Sequence, residues 1–473
     1  MSQTLRTHPK ARLHLSSFWK LRLLLLYFCL AMRSPAWAQG DPRVMIQGFI
    51  WEANSDGVKE AAKWGVHGLP SWTGKWYAHI EQEVGALSKA HFDLIWLPPP
   101  SQGNATGYYP TRYFELTSSY GSNAEQLHLL TALRQQGIEP VADVVVNHRN
   151  GSEHWFDLKN PDWPTTAICS NDDFWTRSDG DLKDKIDRDV RDSHKSGHAD
   201  TGEGNGGARD IDHKQPLVRA DIKKYLDILK VAGYRGWRFD QVKGYSPEYV
   251  AEYNQASKPS FSVGEYLDGR GPIDNWLNGV AGTSLAFDFP TQGELKAALA
   301  GKNYGSLRQL TDHNSSPGIL GARPGDSVTF LENHDSGFPQ HQSDTFFRND
   351  PILMQGYAFI LTHPGIPCVY WKHFVDWQLA QPIGELISAR KYAGINSQSF
   401  VSTRLEQGSY IAEVGDKKTP SSTLIVKIGP AMWQPDLTKF ALETSGEDYA
   451  VWVRRSMKAV TQAKVDAPAK PVP

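Results

Sequence analysis

Eight short apolar or β-branched runs recur along the chain, and stretches with helical periodicity separate them. This alternation predicts a parallel sheet covered by helices, because a parallel connection needs a crossover long enough to hold a helix. Eight such units predict that the sheet closes into a TIM (β/α)8 barrel, an α/β fold. The predicted strands are 44–49, 94–97, 141–146, 236–239, 261–263, 284–287, 328–331 and 366–370, and the clearest amphipathic helices are 124–136 and 217–232.

Polar residues follow directly after several of these runs. The carboxyl ends of barrel strands share one rim, so we expect these side chains to meet in one pocket although they lie far apart in the chain. They are Asn147 and His148 after the third run, Asp240 after the fourth, Glu265 after the fifth, Asp288 after the sixth, and Asn333, His334 and Asp335 after the seventh.

The remaining segments divide by composition into further units. Residues 149–212 are too long and too rich in Gly, Asp, Asn and Trp for an ordinary loop, which predicts a subdomain inserted after strand 3. Short β-like runs after residue 392 predict a C-terminal antiparallel β-sheet domain. The predicted limits are 1–38 for an export signal, 39–148 and 213–392 for the barrel, 149–212 for the insertion, 393–465 for the β domain and 466–473 for a disordered Pro-rich tail.

The N-terminus has the order of an export signal. Basic residues precede an apolar run over 23–32, and Ala36-Trp37-Ala38 follows, so we expect cleavage after Ala38 and a secreted protein, extracellular or periplasmic. The apolar run is too short to cross a bilayer as a helix, which makes a membrane anchor the minor alternative. Export would remove Cys29 and leave two cysteines. Two cysteines exclude a disulfide framework; their pairing stays open, although the apolar surroundings of Cys368 favour a buried thiol.

Charge argues for a neutral partner. The 50 basic and 52 acidic side chains nearly cancel, so neither nucleic acid nor a membrane surface is the expected partner. The 16 Trp and 18 Tyr residues suit stacking on sugar faces, although a large core would need aromatic residues too.

Asp240, Glu265 and Asp335 are carboxylates that follow the fourth, fifth and seventh runs. Hydrolysis of a glycosidic bond needs one carboxylic acid to protonate the leaving oxygen and one carboxylate to attack the anomeric carbon or to activate water. Arg238 lies two residues before Asp240, so both side chains face the same way on a strand and the guanidinium can keep Asp240 ionised. Taken singly, each carboxylate could equally be a helix cap, and Arg238 a structural ion-pair partner.

Several segments together resemble the signature regions of glycoside hydrolase family 13, especially its plant-type α-amylases. The match is long and its order is specific. It comprises 47–51 (Gln-Gly-Phe-Ile-Trp), 95–101, 107–110, 141–149, 236–247 (Gly-Trp-Arg-Phe-Asp-Gln-Val-Lys-Gly-Tyr-Ser-Pro), 263–265, 287–290, 330–335 (Phe-Leu-Glu-Asn-His-Asp) and 363–368.

The resemblance implies a retaining endo-hydrolase of α-1,4-glucosidic bonds in starch-type glucans, expected to act as a monomer. It implies that Asp240 is the nucleophile, Glu265 the general acid and then base, and Asp335 the transition-state stabiliser. The substrate contacts that it implies are Trp51, Tyr108, His148, Arg238, Lys243 and His334.

The resemblance also implies one Ca²⁺ that ties the insertion to the barrel. Its side-chain ligands would be Asn147, Asp200 and Asp210, and its backbone carbonyl ligands would come from Glu203 and Gly244. Oxygen ligands of this kind suit a hard cation, although Asp, Gly and Asn are also ordinary loop residues.

Two other functions stay open at this stage. A relative that transfers glycosyl units, or that releases short oligosaccharides from chain ends, would carry the same carboxylates. A catalytically silent carbohydrate-binding protein would be expected to have lost one of them, and all three are present here.

Overall fold

The structure, a computed structural model, describes residues 40–54, 58–59, 62–63, 72–178, 182–337, 351–416 and 422–456. The predicted export signal and the predicted Pro-rich tail lie outside these residues. Within the described ranges, no helix has the length and apolar character that crossing a membrane requires.

Eight parallel strands close into a barrel in which each strand pairs with its neighbours in chain order, and the last pairs with the first. The predicted barrel is therefore confirmed. Its strands are β1 (Met45–Gln47), β2 (Leu94–Leu97), β3 (Glu139–Val144), β4 (Gly236–Phe239), β5 (Phe261–Gly264), β6 (Leu285–Phe287), β7 (Ser327–Phe330) and β8 (Ile366–Tyr370).

Helices surround the barrel, and local sequence sets their ends. Ser122 and Glu125 form a reciprocal capping box at the start of one helix. Pro216 begins another, and Gly233 follows its end with a φ of 129°. The outer helices are Trp76–Lys89, Asn123–Gln135, Pro216–Ala232, Pro247–Ser257, Arg270–Gly279, Phe289–Ala300, Leu307–Leu310, Ile319–Ala322, Pro351–Thr362 and Ala380–Tyr392.

Apolar side chains fill both faces of the barrel sheet, as expected for parallel strands covered by helices. One cluster fills the barrel interior, and it includes Met45, Trp96, Phe261, Phe287 and Phe330. A larger cluster lies between the strands and the helices. The polar rim is therefore held on a rigid support.

The insertion after β3 is closed by a short antiparallel pair. His148–Arg149 pairs with Arg209–Asp210, and the register places His148 opposite Asp210. The insertion also contains the helix Lys185–Ser193 and two 3-10 turns. This pairing brings the end of β3 next to the acidic residues that close the insertion.

The C-terminal domain is a five-stranded antiparallel sheet in the order β9-β10-β11-β13-β12, with β9 (Phe400–Glu406), β10 (Ser409–Gly415), β11 (Ser422–Ile428), β12 (Phe440–Gly446) and β13 (Tyr449–Arg454). It packs on the helices Pro351–Thr362 and Ala380–Tyr392. His363 Nε2 lies 2.8 Å from the Tyr410 hydroxyl across this contact. Cys169 and Cys368 are both buried free thiols.

Candidate active site

Arg238 is the centre of a buried charge cluster at the carboxyl end of the barrel. Its Nη1 lies 2.8 Å from Asp143 Oδ1 and 2.6 Å from Asp240 Oδ1, and its Nη2 lies 2.8 Å from Glu265 Oε2. Arg238 is 1 % exposed. One guanidinium therefore holds carboxylates from three consecutive strands, β3, β4 and β5.

The protonation of this cluster follows from burial and from the shared cation. Burial raises the pKa of Asp240 and of Glu265, and Arg238 opposes this rise in both. A hydrogen bond between the two carboxyls raises the pKa of Glu265 and lowers that of Asp240. The pKa values of both carboxyls are therefore set by burial against the same cation, so the two groups titrate as a pair.

Asp335 lies across the cleft from this pair. Enclosure in the cleft, and then repulsion by Glu265, raise the pKa of Asp335 to about 7. Its side chain nevertheless keeps 54 % of its surface open, and His334 Nε2 lies 3.3 Å from its Oδ2. Asp335 is thus the most accessible of the three carboxylates that the sequence singled out.

Aromatic rings form the wall of a cleft of about 490 Å³ that all three carboxylates line. The Tyr108 ring stacks on His334 at 5.3 Å between centroids, with an interplanar angle of 6°. The Tyr108 hydroxyl donates to Asp143 Oδ2 at 2.7 Å. The Trp51 ring centroid lies 5.9 Å from that of Tyr108. A flat apolar wall beside buried carboxylates suits one face of a sugar ring.

His148 also lines this cleft, but its ring nitrogens already have protein partners. Its Nε2 donates to the Tyr108 carbonyl at 2.7 Å, and its Nδ1 lies 3.0 Å from Asn205 Nδ2. Burial lowers the pKa of His148 to about 4, so the ring is neutral near pH 7. A sugar contact from His148 would require one of these hydrogen bonds to be exchanged.

Lys243 also lines the cleft, where its ammonium group lies between two carboxylates. Its Nζ is 3.1 Å from Glu203 and 3.1 Å from Asp268. Hydrogen bonds to these two residues raise the pKa of Lys243. The insertion and the segments after β4 and β5 therefore meet at one ammonium group.

The five predicted ligand residues of the cation site differ in what already holds them. Within the part of the chain that the structure describes, Asn147 Oδ1 and Asp200 Oδ2 are buried atoms without a hydrogen-bond partner. Asp210 Oδ1 accepts one bond, from the Asn205 amide, and burial followed by repulsion from neighbouring aspartates raises the pKa of Asp210 to about 7. The Glu203 backbone amide donates a hydrogen bond to the Lys243 carbonyl. The Asn147 side chain packs against the Gly244 backbone. Unpaired buried oxygens beside acidic groups fit a hard cation.

A second group of ligand-type residues in the insertion has protein partners instead. His154, Asp184 and Asp187 place ligand atoms within 4.8 Å of one another. His154 Nδ1 lies 2.6 Å from Asp184 Oδ2, and Asp187 accepts the Trp155 amide. Sequence reasoning did not single out this cluster.

Sequence reasoning also missed several residues of the catalytic cleft. Asp143 carried a signal, because it is the charged residue within the apolar run 141–146. Asn205 and Gln241 line the cleft and hydrogen bond to each other, but both lie in segments without periodicity. Only the folded chain brings them to the site.

Comparison with known proteins agrees with this geometry. Residues 73–373 match the α-amylase catalytic domain, and residues 392–453 match the α-amylase C-terminal β-sheet domain. The probable α-amylase 2 of Arabidopsis thaliana is 34 % identical over 404 residues, which cover 80 % of this chain and 90 % of that protein. The chloroplastic α-amylase 3 of the same plant is 32 % identical over 443 residues, which cover 86 % of this chain and 44 % of that protein.

A solved α-amylase of Malbranchea cinnamomea shares the fold, with a TM-score of 0.65 at 15 % sequence identity over 89 % of this chain and 98 % of that one. Together, the closed barrel and the two matched domains define a glycoside hydrolase. The chain belongs to the α-amylase family, glycoside hydrolase family 13, and is similar to its plant-type members.

Proposed function

We propose that this enzyme hydrolyses internal α-1,4-glucosidic bonds of starch- and glycogen-type glucans with retention of anomeric configuration. The observation that supports retention best is the shared guanidinium, which contacts Asp240 through Nη1 at 2.6 Å and Glu265 through Nη2 at 2.8 Å and so keeps the two carboxyls close together. Inverting enzymes keep their two carboxyls farther apart to admit a water molecule between acid and base.

The reaction then has two steps, and each balances its proton. In the first, an Asp240 oxygen bonds to the anomeric carbon while the glycosidic bond breaks, and the Glu265 proton passes to the leaving oxygen. In the second, water attacks the same carbon and gives a proton to Glu265, which releases Asp240. Arg238 stabilises the charge on Asp240 before and after the cycle.

The remaining cleft residues would bind and orient the sugar. Asp335 would accept hydrogen bonds from hydroxyl groups and stabilise positive charge at the ring. Tyr108 and Trp51 would stack on the sugars, and Lys243 would contact a neighbouring unit at the far rim. Binding of this kind supplies the orientation that makes both steps effectively unimolecular.

We also propose Ca²⁺ at the cation site, held by Asn147, Asp200, Asp210 and the carbonyls of Glu203 and Gly244. The ion would supply a structural link between the insertion and the barrel rather than a chemical step. Its support is the set of unpaired buried oxygens on Asn147 and Asp200.

The direct test of the hydrolase proposal is release of reducing sugar from soluble starch. The unmodified enzyme is expected to release it, and Asp240→Asn is expected to fold and release none above background. Chromatography of early products then tests endo action. A broad mixture of lengths supports it, whereas a single dominant short product favours attack from chain ends.

Residues 1–38 support a proposal on localisation. Their basic, apolar and Ala-Trp-Ala order favours export with cleavage after Ala38. The chloroplastic relative favours a second candidate, a transit peptide. N-terminal sequencing of the mature protein from the producing cell, with fractionation, separates the two. Size-exclusion chromatography tests the proposed monomer.

A further inference from the structure

Gln47, the last residue of β1, is fully buried, and its amide contacts His334, a residue that lines the catalytic cleft. We infer that Gln47 is a positioning residue, which fixes the ring proton of His334 on Nε2, the nitrogen that faces Asp335. This inference rests on the proposed function only for its kinetic consequence. The position of the proton itself can be measured without any substrate.

The geometry leaves His334 Nδ1 one role. Gln47 Nε2 lies 2.8 Å from His334 Nδ1, and both residues are almost fully buried. An amide nitrogen of this kind only donates, so Nδ1 must be the acceptor and cannot carry a proton. Gln47 Oε1 is buried and has no hydrogen-bond partner among the described residues, so the bond to His334 is the one that the amide provides there.

The ring is also neutral, which makes its tautomer decisive. Burial, and then the neighbouring Arg238 charge, lower the pKa of His334 well below its usual value. A neutral imidazole has a single N–H. With Nδ1 accepting, that N–H lies on Nε2, 3.3 Å from Asp335 Oδ2.

The reversed orientation of the Gln47 amide would place the His334 ring proton on the other nitrogen. If the Gln47 carbonyl faced Nδ1, the proton would lie on Nδ1 and the Nε2 lone pair would face the Asp335 carboxylate. The observed orientation instead gives Asp335, or a sugar hydroxyl between the two groups, a hydrogen-bond donor.

Packing restrains the ring itself, so the amide controls the proton rather than the position. Tyr108 stacks on one face of His334, and the Phe49 centroid lies 4.5 Å away. His148 differs, because its Nε2 proton is already donated to the Tyr108 carbonyl. Of these two histidines, His334 has its donor directed at a catalytic carboxylate.

The test is nitrogen-15 NMR of histidine-labelled enzyme, with the His334 signals assigned by their loss in His334→Asn. The unmodified enzyme is expected to show a pyridine-type Nδ1 and a protonated Nε2. Gln47→Glu places an acceptor beside Nδ1 and is expected to convert that nitrogen to the protonated type. Gln47→Met keeps a similar volume without a donor, and is expected to give a mixture of tautomers and a kcat/KM about 10-fold lower.

Gln126→Met is the matched control, because Gln126 is also fully buried and donates its amide to a hydroxyl, that of Tyr77, at 3.0 Å. It is expected to lower Tm without moving the His334 signals. A protonated Nδ1 in the unmodified enzyme, or a His334 spectrum that Gln47→Glu does not change, would overturn the inference. If Gln47 variants fail to fold, the unmodified spectrum alone decides. Failure of the unmodified enzyme to cleave starch would instead refute the proposed function and leave this spectrum intact.

Discussion

Asp240 and Asp288 both follow directly after a barrel strand, both are buried, and the structure holds them in opposite ways. Asp240 is paired with the buried Arg238 and lines the open cleft. Asp288 is 0 % exposed, and its hydrogen-bond donors among the described residues are neutral groups. Its four donors, at 2.8–3.2 Å, are the amides of Thr291, Ile319 and Leu320 and the hydroxyl of Ser327.

The difference separates a structural carboxylate from a reactive one. Neutral donors saturate both oxygens of Asp288, cap the helix Phe289–Ala300 and leave no lone pair for chemistry. Asp240 depends on one cation and keeps an open side. A site of that kind costs stability and gains reactivity.

The largest expected effect is the loss of catalysis when Asp240 is replaced. Asp240→Asn removes the attacking carboxylate, so kcat on starch should fall by at least about 10⁴-fold. Tm should stay the same or rise, because a buried charge is removed. Starch hydrolysis and a thermal melt on the same sample check this; loss of activity together with loss of the fold would contradict the assignment.

The matched change at the structural carboxylate should do the reverse. Asp288→Asn turns an amide NH₂ toward two of the four donors and leaves them unpaired, which should cost about 2–5 kcal/mol of the free energy of unfolding. Urea denaturation measures that cost. The kcat/KM per folded molecule should stay within about threefold, and a far larger kinetic loss would mean that Asp288 takes part in catalysis.

The cation site differs from both Asp240 and Asp288. Among the described residues, Asp200 and Asn147 have no arginine partner, and each keeps one side-chain oxygen without a donor. If Ca²⁺ fills that role, chelation should lower Tm by about 5 °C, since an ion that binds only the folded state stabilises it by mass action. Added Ca²⁺ should restore the Tm. Asn147→Ala should remove the response to chelator, and a melting curve indifferent to chelator in the unmodified enzyme would refute the site.

The smallest effect concerns the pH dependence of stability through Asp335. Its folded pKa of about 7 exceeds the usual 3.8, so its ionisation costs the folded state progressively as pH rises from 4 to 7. Asp335→Asn removes that cost, so Tm should rise by about 1–3 °C at pH 8 and by less at pH 5. Half of this side chain is open to solvent, and screening keeps the gain small. An equal change at both pH values would contradict the raised pKa.

Much of the fold could be predicted because the spacing of apolar residues along short segments indicates strands and helices. The buried runs predicted all eight barrel strands, and their order predicted that Asp240, Glu265 and Asp335 share a rim. Strands β9 and β12 are exposed or half-buried along much of their length, and their mixed pattern does not by itself predict strands.

The site itself could be predicted only in part. Arg238 and the family resemblance singled out Asp240 in the sequence, but the structural role of Asp288 could not be predicted, because its donors come from as far as residue 327. The same limit applies to Gln47, whose hydrogen bond to His334 spans 287 residues. The local patterns predict that the barrel closes, but they do not specify which side chains its closure brings into contact.

The central claim is that Asp240 and Glu265 act as a close pair on one anomeric carbon. Proton NMR of the newly formed reducing ends, recorded during the first minutes of starch cleavage, tests it most directly. If Asp240 forms a covalent intermediate, the α-anomer should appear first and then mutarotate toward the β-anomer. Initial appearance of the β-anomer would mean a single displacement by water and would contradict the covalent role of Asp240.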